Sequence, residues 1–521
     1  MTEIAPPETA AHVFTDATDG SRSQAKYNEQ KAGVWAKFIS WIWDSDYYQK
    51  SPEERRFVNK LDWCLLPALA LGWWIKNVDQ SNLSNAYVSG LKEALHIEGN
   101  QYTYMSTIYA AVLAGMQLPA NFLIIKVRPS WFLAANEIGW TIFTFAQAGA
   151  KSYQAMYGFR FCVALFESFY YPVSFFILGS WYTKPELAKR ICLWFVASPA
   201  GSAFSGYMQA AIYKTLDGRN GLEGWQWLFI ICGIMSLPVG IIIFFFVPDF
   251  PENTKAWYFT EKEIELARER VARNGTAIVS SKIRPKAILA LFASWKFWLL
   301  VPWFTMMAEA IATNNQFGVY LKAYGWSVTM RNVLPATGSI VQLASSIPYC
   351  FLSDQLVGFG RMWVMLGVTL LALFSTAVLA FWPASDSLRV VAFMISYAGS
   401  STPMYFAWVA EVCQGSTEQR AFMTGAATAL WYCTNAWLPN VIYLQTDGPR
   451  FKKGFVTSFV CNIIAVVGLP IIHLLHQREL RQNSRLAVTT INGLEQGGLD
   501  SSDDSKEKVL EYPVQHTLDR E

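Results

Sequence analysis

Twelve runs of about twenty mostly apolar residues constrain this chain more than anything else in it. As a helix, each is long enough to cross a hydrocarbon layer of roughly 30 Å. The first six fall at 61–80, 102–125, 131–149, 154–181, 191–213 and 227–247. The second six fall at 296–321, 333–352, 362–381, 390–412, 421–444 and 455–475. Within lipid the backbone must satisfy its own hydrogen bonds, which helices do segment by segment. The pattern therefore predicts an all-α polytopic membrane protein of twelve transmembrane helices in two six-helix repeats. Its parts are a polar tail (1–60), a first bundle (61–247), a hydrophilic linker (248–295), a second bundle (296–475) and a second tail (476–521).

Of 521 residues, 53% are hydrophobic and 16% charged, and the formal net charge is only +3. That balance points to the lipid bilayer as partner and away from nucleic acid. The eight cysteines stand singly in or beside apolar runs, without a CxxC pair. Neither a disulfide framework nor a metal site is expected, and no cofactor. The first forty residues lack an apolar core with a cleavage site, so they read as a tail and not as a signal peptide. Lys50, Arg55, Arg56 and Lys60 precede the first span, a basic set runs from Arg268 to Lys286, and Arg478, Arg481 and Arg485 follow the last span. By the positive-inside rule both termini and the linker are cytosolic. In the linker, Thr260 and Glu263 have the spacing of a capping box that opens a short, solvated helix.

The polar residues inside the spans carry the functional reading. A charge near the centre of a membrane helix costs roughly 2.5–3.5 kcal/mol on insertion scales, so such residues mark cavities, partners or substrate paths. Asp79, Asn82 and Ala86 share one face of the first span, with Asn85 beside it. In the fourth span Arg160 and Glu167 share a face two turns apart. Arginine is planar, bidentate and always charged, which suits it to hold a carboxylate. Glu167 can change protonation. One fixed cation beside titratable carboxylates is chemistry for moving an anion with protons; the rival reading is a structural ion pair, with Arg160 against Asp79. Glu309 to Gln316 repeats the polar span end in the second half, and Glu137, Glu309 and Glu411 are further intramembrane carboxyls whose role stays open. His473 lies only at the edge of the last span, so carboxylates must carry any proton. Asp354, followed one short loop later by Arg361, has the pattern of a cytosolic latch, and Glu186 and Arg190 join them as candidate gate residues. Ser198, Gly201, Ser202, Ser205 and Gly206 make the fifth span fit for close helix packing.

The stretch Asp79-Gln80-Ser81-Asn82-Leu83-Ser84-Asn85-Ala86-Tyr87-Val88-Ser89-Gly90 resembles the first-helix signature of the fungal allantoate-permease group, the anion:cation symporter branch of the major facilitator superfamily. So do Arg160-Phe161 with Glu167 and Tyr171-Pro172, Gly179-Ser180-Trp181-Tyr182-Thr183, Lys189-Arg190, Gly224-Trp225-Gln226-Trp227-Leu228-Phe229 and Ala436-Trp437-Leu438-Pro439. Within that branch, Asn85 to Lys92 and Phe204-Ser205-Gly206-Tyr207 are most similar to fungal pantothenate permeases, with biotin permeases near. The resemblance covers about 50–475. It implies the major facilitator fold of two parallel repeats, protonation at Asp79 and Glu167, and substrate or coupling support from Arg160. Many members have arginine where this chain has Gln80. An anion then relies on Arg160, on Lys76, and on the amides of Gln80, Asn82, Asn85, Asn315 and Gln316.

The resulting expectation is a secondary active transporter, not an enzyme, working as a monomer in the plasma membrane. It would move a small organic anion, such as a pantothenate-like vitamin carboxylate, together with protons. An accompanying proton cancels the roughly 2.3 kcal/mol per 100 mV that an anion meets on entering against an inside-negative potential. Bulk at Phe169-Tyr170-Tyr171 leaves room for a different substrate. Two other readings stand beside this one: an exporter or importer of a fungal specialised metabolite, and a nutrient sensor that binds without transport.

Overall fold

The computed structural model describes residues 47–123, 127–273, 292, 294–355, 359–413 and 417–497. Among these the regular structure is entirely helical. Two compact units are present, one through Gly468 and one from Leu469.

Helix α1 (Pro52–Ala86) starts ahead of the first apolar run, inside the stretch that the sequence reads as a tail. The Ser51 hydroxyl accepts from the Glu54 N–H at 3.1 Å, and Pro52 takes a first-turn position that needs no N–H. A wide turn, Tyr87–Leu91, ends it at Ser89 and Gly90, the glycine at φ 124°. Helices α2 (Gln101–Leu123) and α3 (Pro129–Ala148) follow. The fourth pass is two helices, α4 (Tyr153–Glu167) and α5 (Tyr170–Trp181), where the sequence led us to expect one. Pro172 cannot donate to the carbonyl of Ser168, and its ring crowds that carbonyl, so the helix breaks there. Next come α6 (Lys184–Thr215), α7 (Gly224–Phe246) and the linker helix α8 (Glu261–Arg273).

The second half opens with α9 (Trp295–Ala310), a tight turn at Ala312–Gln316 and α10 (Phe317–Ala323). Then come α11 (Val328–Gln355), α12 (Phe359–Phe381), α13 (Asp386–Ala398) and α14 (Thr402–Val412). The break between α13 and α14 lies at Gly399, four residues before Pro403, and has the same cause. Helix α15 (Thr417–Trp437), a short helix at Pro439–Ile442, and α16 (Lys452–Gly497) are the last of the described elements. Tyr153–Trp181, Gly224–Phe246, Arg361–Phe381 and Lys452–Gln482 are long and apolar enough to cross a membrane on composition alone. Helices such as α1 fall short because they carry Lys76, Asn77 and Asp79, all buried within the protein.

The two halves meet along two seams, α6 against α11 and α2 against α15. The small-residue stripe of α6 makes the first seam close. A Cβ on Gly206 would lie 2.8 Å from the Asn332 carbonyl on α11, and one on Gly201 would lie 2.4 Å from the Trp74 carbonyl on α1. On the same helix the hydroxyls of Ser198 and Ser202 reach Asn77 and Ser81 at 2.7 and 3.1 Å.

The capping box opens α8 as expected, with the Thr260 N–H donating to Glu263 Oε2 at 2.8 Å. The helix is not a solvated strut, however. Its Arg270 is 2% exposed and pairs with Glu54 at 2.8 Å and Glu186 at 2.6 Å, while Glu263 pairs with Lys60 at 2.7 Å. Burial alone would raise the Glu186 pKa; Arg270 and then Lys50 outweigh it and hold the carboxyl below its ordinary range. A carboxyl lowered in this way adds docking stability above the ordinary Glu pKa of about 4.3. That stability is lost as pH falls through the docked value. We therefore expect α8 to stay docked at neutral pH and to be released on acidification below about 4. Arg270→Ala should release it at neutral pH, at a cost of about 1–3 kcal/mol, since Lys50 still pairs with Glu186. Limited proteolysis within the linker reads this out: faster cutting is expected in the variant, and unchanged cutting would show that these pairs do not hold α8.

Candidate functional site

The buried polar residues of α1 form two adjoining groups. In the first, Asp79 Oδ1 accepts from Asn82 Nδ2 at 3.3 Å and from the Cys232 thiol on α7 at 2.9 Å, while Oδ2 accepts from Thr144 on α3 at 3.4 Å. Ser205 on α6 donates to Asn82 Oδ1 at 2.8 Å and accepts from Asn85 Nδ2 at 2.7 Å. The amides of Asn82 and Asn85 are thus engaged in holding α1 against α6. Gln80 is exposed, one turn beyond Lys76 on the same helix face.

The second group gathers around Tyr109 on α2. Its hydroxyl donates to Glu167 Oε2 and accepts from Lys76 Nζ at 3.3 Å, and Lys76 lies 3.7 Å from the same carboxylate oxygen. Lys76 also stands over the Trp73 ring, 4.9 Å from its centre. Arg160 lies two turns before Glu167 on α4. It is 2% exposed, and its guanidinium sits 4.6 Å above the Tyr109 ring. Its Nε has no hydrogen-bond partner, and no carboxylate forms an ion pair with it among the described residues. The ion pair between Arg160 and Asp79, weighed from the sequence, does not form. Lys76 pairs with Glu167, and Arg160 is a buried cation with no carboxylate in contact among the described residues.

From the other half, Tyr432 on α15 packs against Tyr109, Leu113 and Ala164. One turn on, Asn435 donates to Glu309 Oε1 at 3.0 Å. Asn315 is exposed on the turn after α9, while Gln316 is buried with Oε1 unpartnered. Of the bulky triplet, Phe169 and Tyr170 are buried in the first bundle, the Tyr170 hydroxyl donating to the Leu69 carbonyl at 2.9 Å. Only Tyr171 keeps partial exposure.

Among the gate residues, Arg190 pairs with Asp62 at 2.6 Å, Glu186 with Arg270, and Arg361 with Glu411 at 3.2 Å, each on its own side of the halves' interface. The side chain of Asp354 lies outside the described residues. Bonds between the halves cluster instead at the opposite end, where α1 stops. Lys322 donates to the Tyr87 carbonyl at 3.2 Å and pairs with Glu93 at 2.8 Å. Arg331 reaches the Val88 carbonyl at 3.4 Å, and Asn332 donates to Ser89 Oγ at 2.9 Å. The last carbonyls of a helix lack intrahelical partners and carry its negative end, so cations from the other half cap α1 here. A cavity of about 300 Å³ beside Glu93, Asp217 and Glu223 admits solvent to these charges, which keeps the seal weak enough to open. In Lys322→Ala/Arg331→Ala we expect this end to open more often. Labelling of a cysteine placed at Ser89 should then speed up by roughly tenfold, the equivalent of about 1.4 kcal/mol. An unchanged labelling rate would show that other contacts hold the seal.

The sequence reading did not single out Tyr109, Thr144 or Cys232. Each is a modestly polar residue in an apolar run, and Cys232 reads there as a small hydrophobe. Only the relative rotation of neighbouring helices shows which polar residues meet.

Comparison with known proteins agrees with this architecture. The family model "Major Facilitator Superfamily" matches residues 69–439. The chain is 30% identical over 446 residues to the pantothenate transporter liz1 of Schizosaccharomyces pombe, covering 84% of this chain and 85% of that one. It is 31% identical over 446 residues to the vitamin H transporter of Saccharomyces cerevisiae, covering 84% and 74%. It is 29% identical over 490 residues to the MFS transporter PfmaC of Pestalotiopsis fici, covering 91% and 88%. Among solved structures, the proton:xylose symporter XylE bound to 6-bromo-6-deoxy-D-glucose aligns with a TM-score of 0.61 at 14% identity, over 78% of this chain and 94% of that one. An inward-facing bacterial homologue of the human lysosomal transporter Spinster aligns with a TM-score of 0.55 at 15% identity, over 80% and 96%. These structures share the fold, and the similarity to fungal pantothenate and biotin permeases read from the sequence is found.

Proposed function

The chain belongs to the major facilitator superfamily, a family of multi-pass membrane transporters, and we propose that it moves a small organic carboxylate together with protons. The observation that carries this reading is Arg160, a buried guanidinium with no carboxylate partner among the described residues. With Asp79 ionised, the group of Lys76, Arg160, Glu167 and Asp79 is neutral. With Asp79 protonated, it holds one surplus positive charge at Arg160. Protonation of Asp79 and binding of an anion therefore favour each other, and that mutual preference couples the two movements.

The relatives named for pantothenate and vitamin H suggest a vitamin-like carboxylate as substrate. The amides of Gln80, Asn315 and Gln316 would contribute hydrogen bonds, while Asn82 and Asn85 shape the site through α6. The reading places a monomer in the plasma membrane with both termini cytosolic, where the basic residues flanking the bundles lie. Asp354, Arg361, Glu186 and Arg190 would then close the cytosolic end when the opposite seal opens. Cells expressing the protein, offered labelled pantothenate, biotin, nicotinate and allantoate, test the substrate class. We expect uptake of one vitamin carboxylate above control cells, increasing as the medium is acidified. Uptake of none of the four would overturn the reading.

A further inference from the structure

Glu137, in the middle of α3, is fully buried. Neither of its carboxyl oxygens has a hydrogen-bond partner among the described residues. Thr141 donates at 2.7 Å to the Glu137 backbone carbonyl and leaves the side chain unmet. The ionisable groups that act on the carboxyl are Asp79 on α1 and Glu167 on α4, both acidic, and Tyr170 on α5; α7 brings the Cys232 thiol to Asp79. An isolated carboxylate in such surroundings is prohibitively costly, whereas a neutral acid lacking a partner costs about 1–3 kcal/mol. Leucine would pack the position without that penalty, so the acid asks for a use.

Its placement indicates one. Ser130, Glu137 and Thr144 stand seven residues apart on one face of α3. Each step spans about 10 Å along the helix. At one end of this file, Thr144 touches Asp79 at 3.4 Å. At the other, the Ser130 hydroxyl donates at 2.7 Å to Asp249, a half-buried carboxylate beyond the end of α7. Helix α7, packed along α3, repeats the pattern. Cys232 donates to Asp79, Ser236 follows one turn on, and Gly240 follows one turn after that. A Cβ on Gly240 would come within 3.2 Å of Glu137 Cγ, so the glycine makes the room this carboxyl occupies.

We propose that Glu137 is a proton-holding site on a route between α3 and α7 that runs from Asp79 to Asp249, apart from the path of the anion. This inference rests on the proton-coupled reading above. Glu137 is a neutral acid at rest. It passes its proton to water or to Asp249 at the α8 end as it takes up the proton that leaves Asp79, so no isolated carboxylate is left at the position. One proton is transferred and no group is oxidised or reduced. Steps of about 10 Å exceed a direct hop, so Thr141, Ser236 and transient water relay the proton between carboxyls.

The test uses the purified full chain in lipid, with labelled pantothenate as probe. In proteoliposomes Glu137→Gln should lower pH-driven accumulation relative to exchange at equal pH by about tenfold, well below the ~10²-fold that a positioned proton-transfer group can contribute. Gly240→Ala, which crowds the carboxyl without removing it, should lower the same ratio in the same direction. An unchanged ratio in Glu137→Gln overturns the proposal. Infrared spectroscopy provides an arm that needs no substrate. Wild type at neutral pH should show the carbonyl-stretch band of a buried protonated carboxylic acid, lost in Glu137→Gln and kept in Glu309→Gln. Retention of the whole band in Glu137→Gln overturns the proposal as well. If wild type exchanges no pantothenate, the substrate reading fails by itself, and the infrared result decides on Glu137.

Discussion

Replacing Asp79 with asparagine is expected to abolish accumulation driven by a pH gradient, while exchange of labelled for unlabelled substrate continues. Asparagine keeps the shape of the carboxyl and fixes it in a neutral state. The surplus charge at Arg160 is then permanent, the anion binds at any pH, and the proton no longer has to travel with it. Exchange needs no net proton release, so it survives. The three donors around Asp79, from Asn82, Cys232 and Thr144, lose one acceptor oxygen. That loss costs about 1 kcal/mol of stability and is not enough to unfold the bundle. Counterflow and pH-driven uptake, measured side by side in proteoliposomes, separate the two effects. Full pH-driven accumulation in Asp79→Asn would mean that the carboxyl is there for helix packing.

Arg160→Gln is expected to lose carboxylate binding while the protein still inserts and folds. The arginine has no carboxylate partner in contact among the described residues, so its removal breaks no ion pair in the resting protein. The bound substrate, however, would be left with its charge unpaired. Removing one member of such a pair costs about 2–5 kcal/mol, or at least roughly 30-fold in affinity. Lysine should restore little, because it lacks the planar, two-pronged donor set and the stacking on Tyr109. Equilibrium binding to detergent-solubilised protein checks this. Wild-type affinity in Arg160→Gln would move the anion to Lys76, whose pairing with Glu167 at 3.7 Å is loose.

Much of this was legible in the sequence because membrane helices announce themselves by length and hydropathy. The order of the passes and the Thr260–Glu263 capping box are local facts, and the structure keeps them. The helix breaks before Pro172 and Pro403 were local as well, yet the length of the apolar run concealed them. The docking of α8 was not legible, since it depends on Glu54 and Glu186, which are distant in sequence and meet only at Arg270. At the site, spacing showed that Arg160 and Glu167 share a helix face. Seven residues, about 10 Å along the axis, already put them beyond direct pairing. Spacing could not show that Lys76 and Tyr109 reach Glu167 from two other helices. Rules of spacing act within one helix, and the chemistry of this site lies between helices.

Proton movement recorded together with anion movement, in proteoliposomes containing only this protein, tests the coupling most directly. The anion is the one selected by the uptake panel. Its addition outside should draw protons inward with it, so that a weakly buffered external medium turns alkaline as labelled substrate enters. The rate should rise with external acidity, and both signals should vanish together in Arg160→Gln. Substrate entry of the same size with no change in external pH, and with no dependence on it, would contradict coupling between the two.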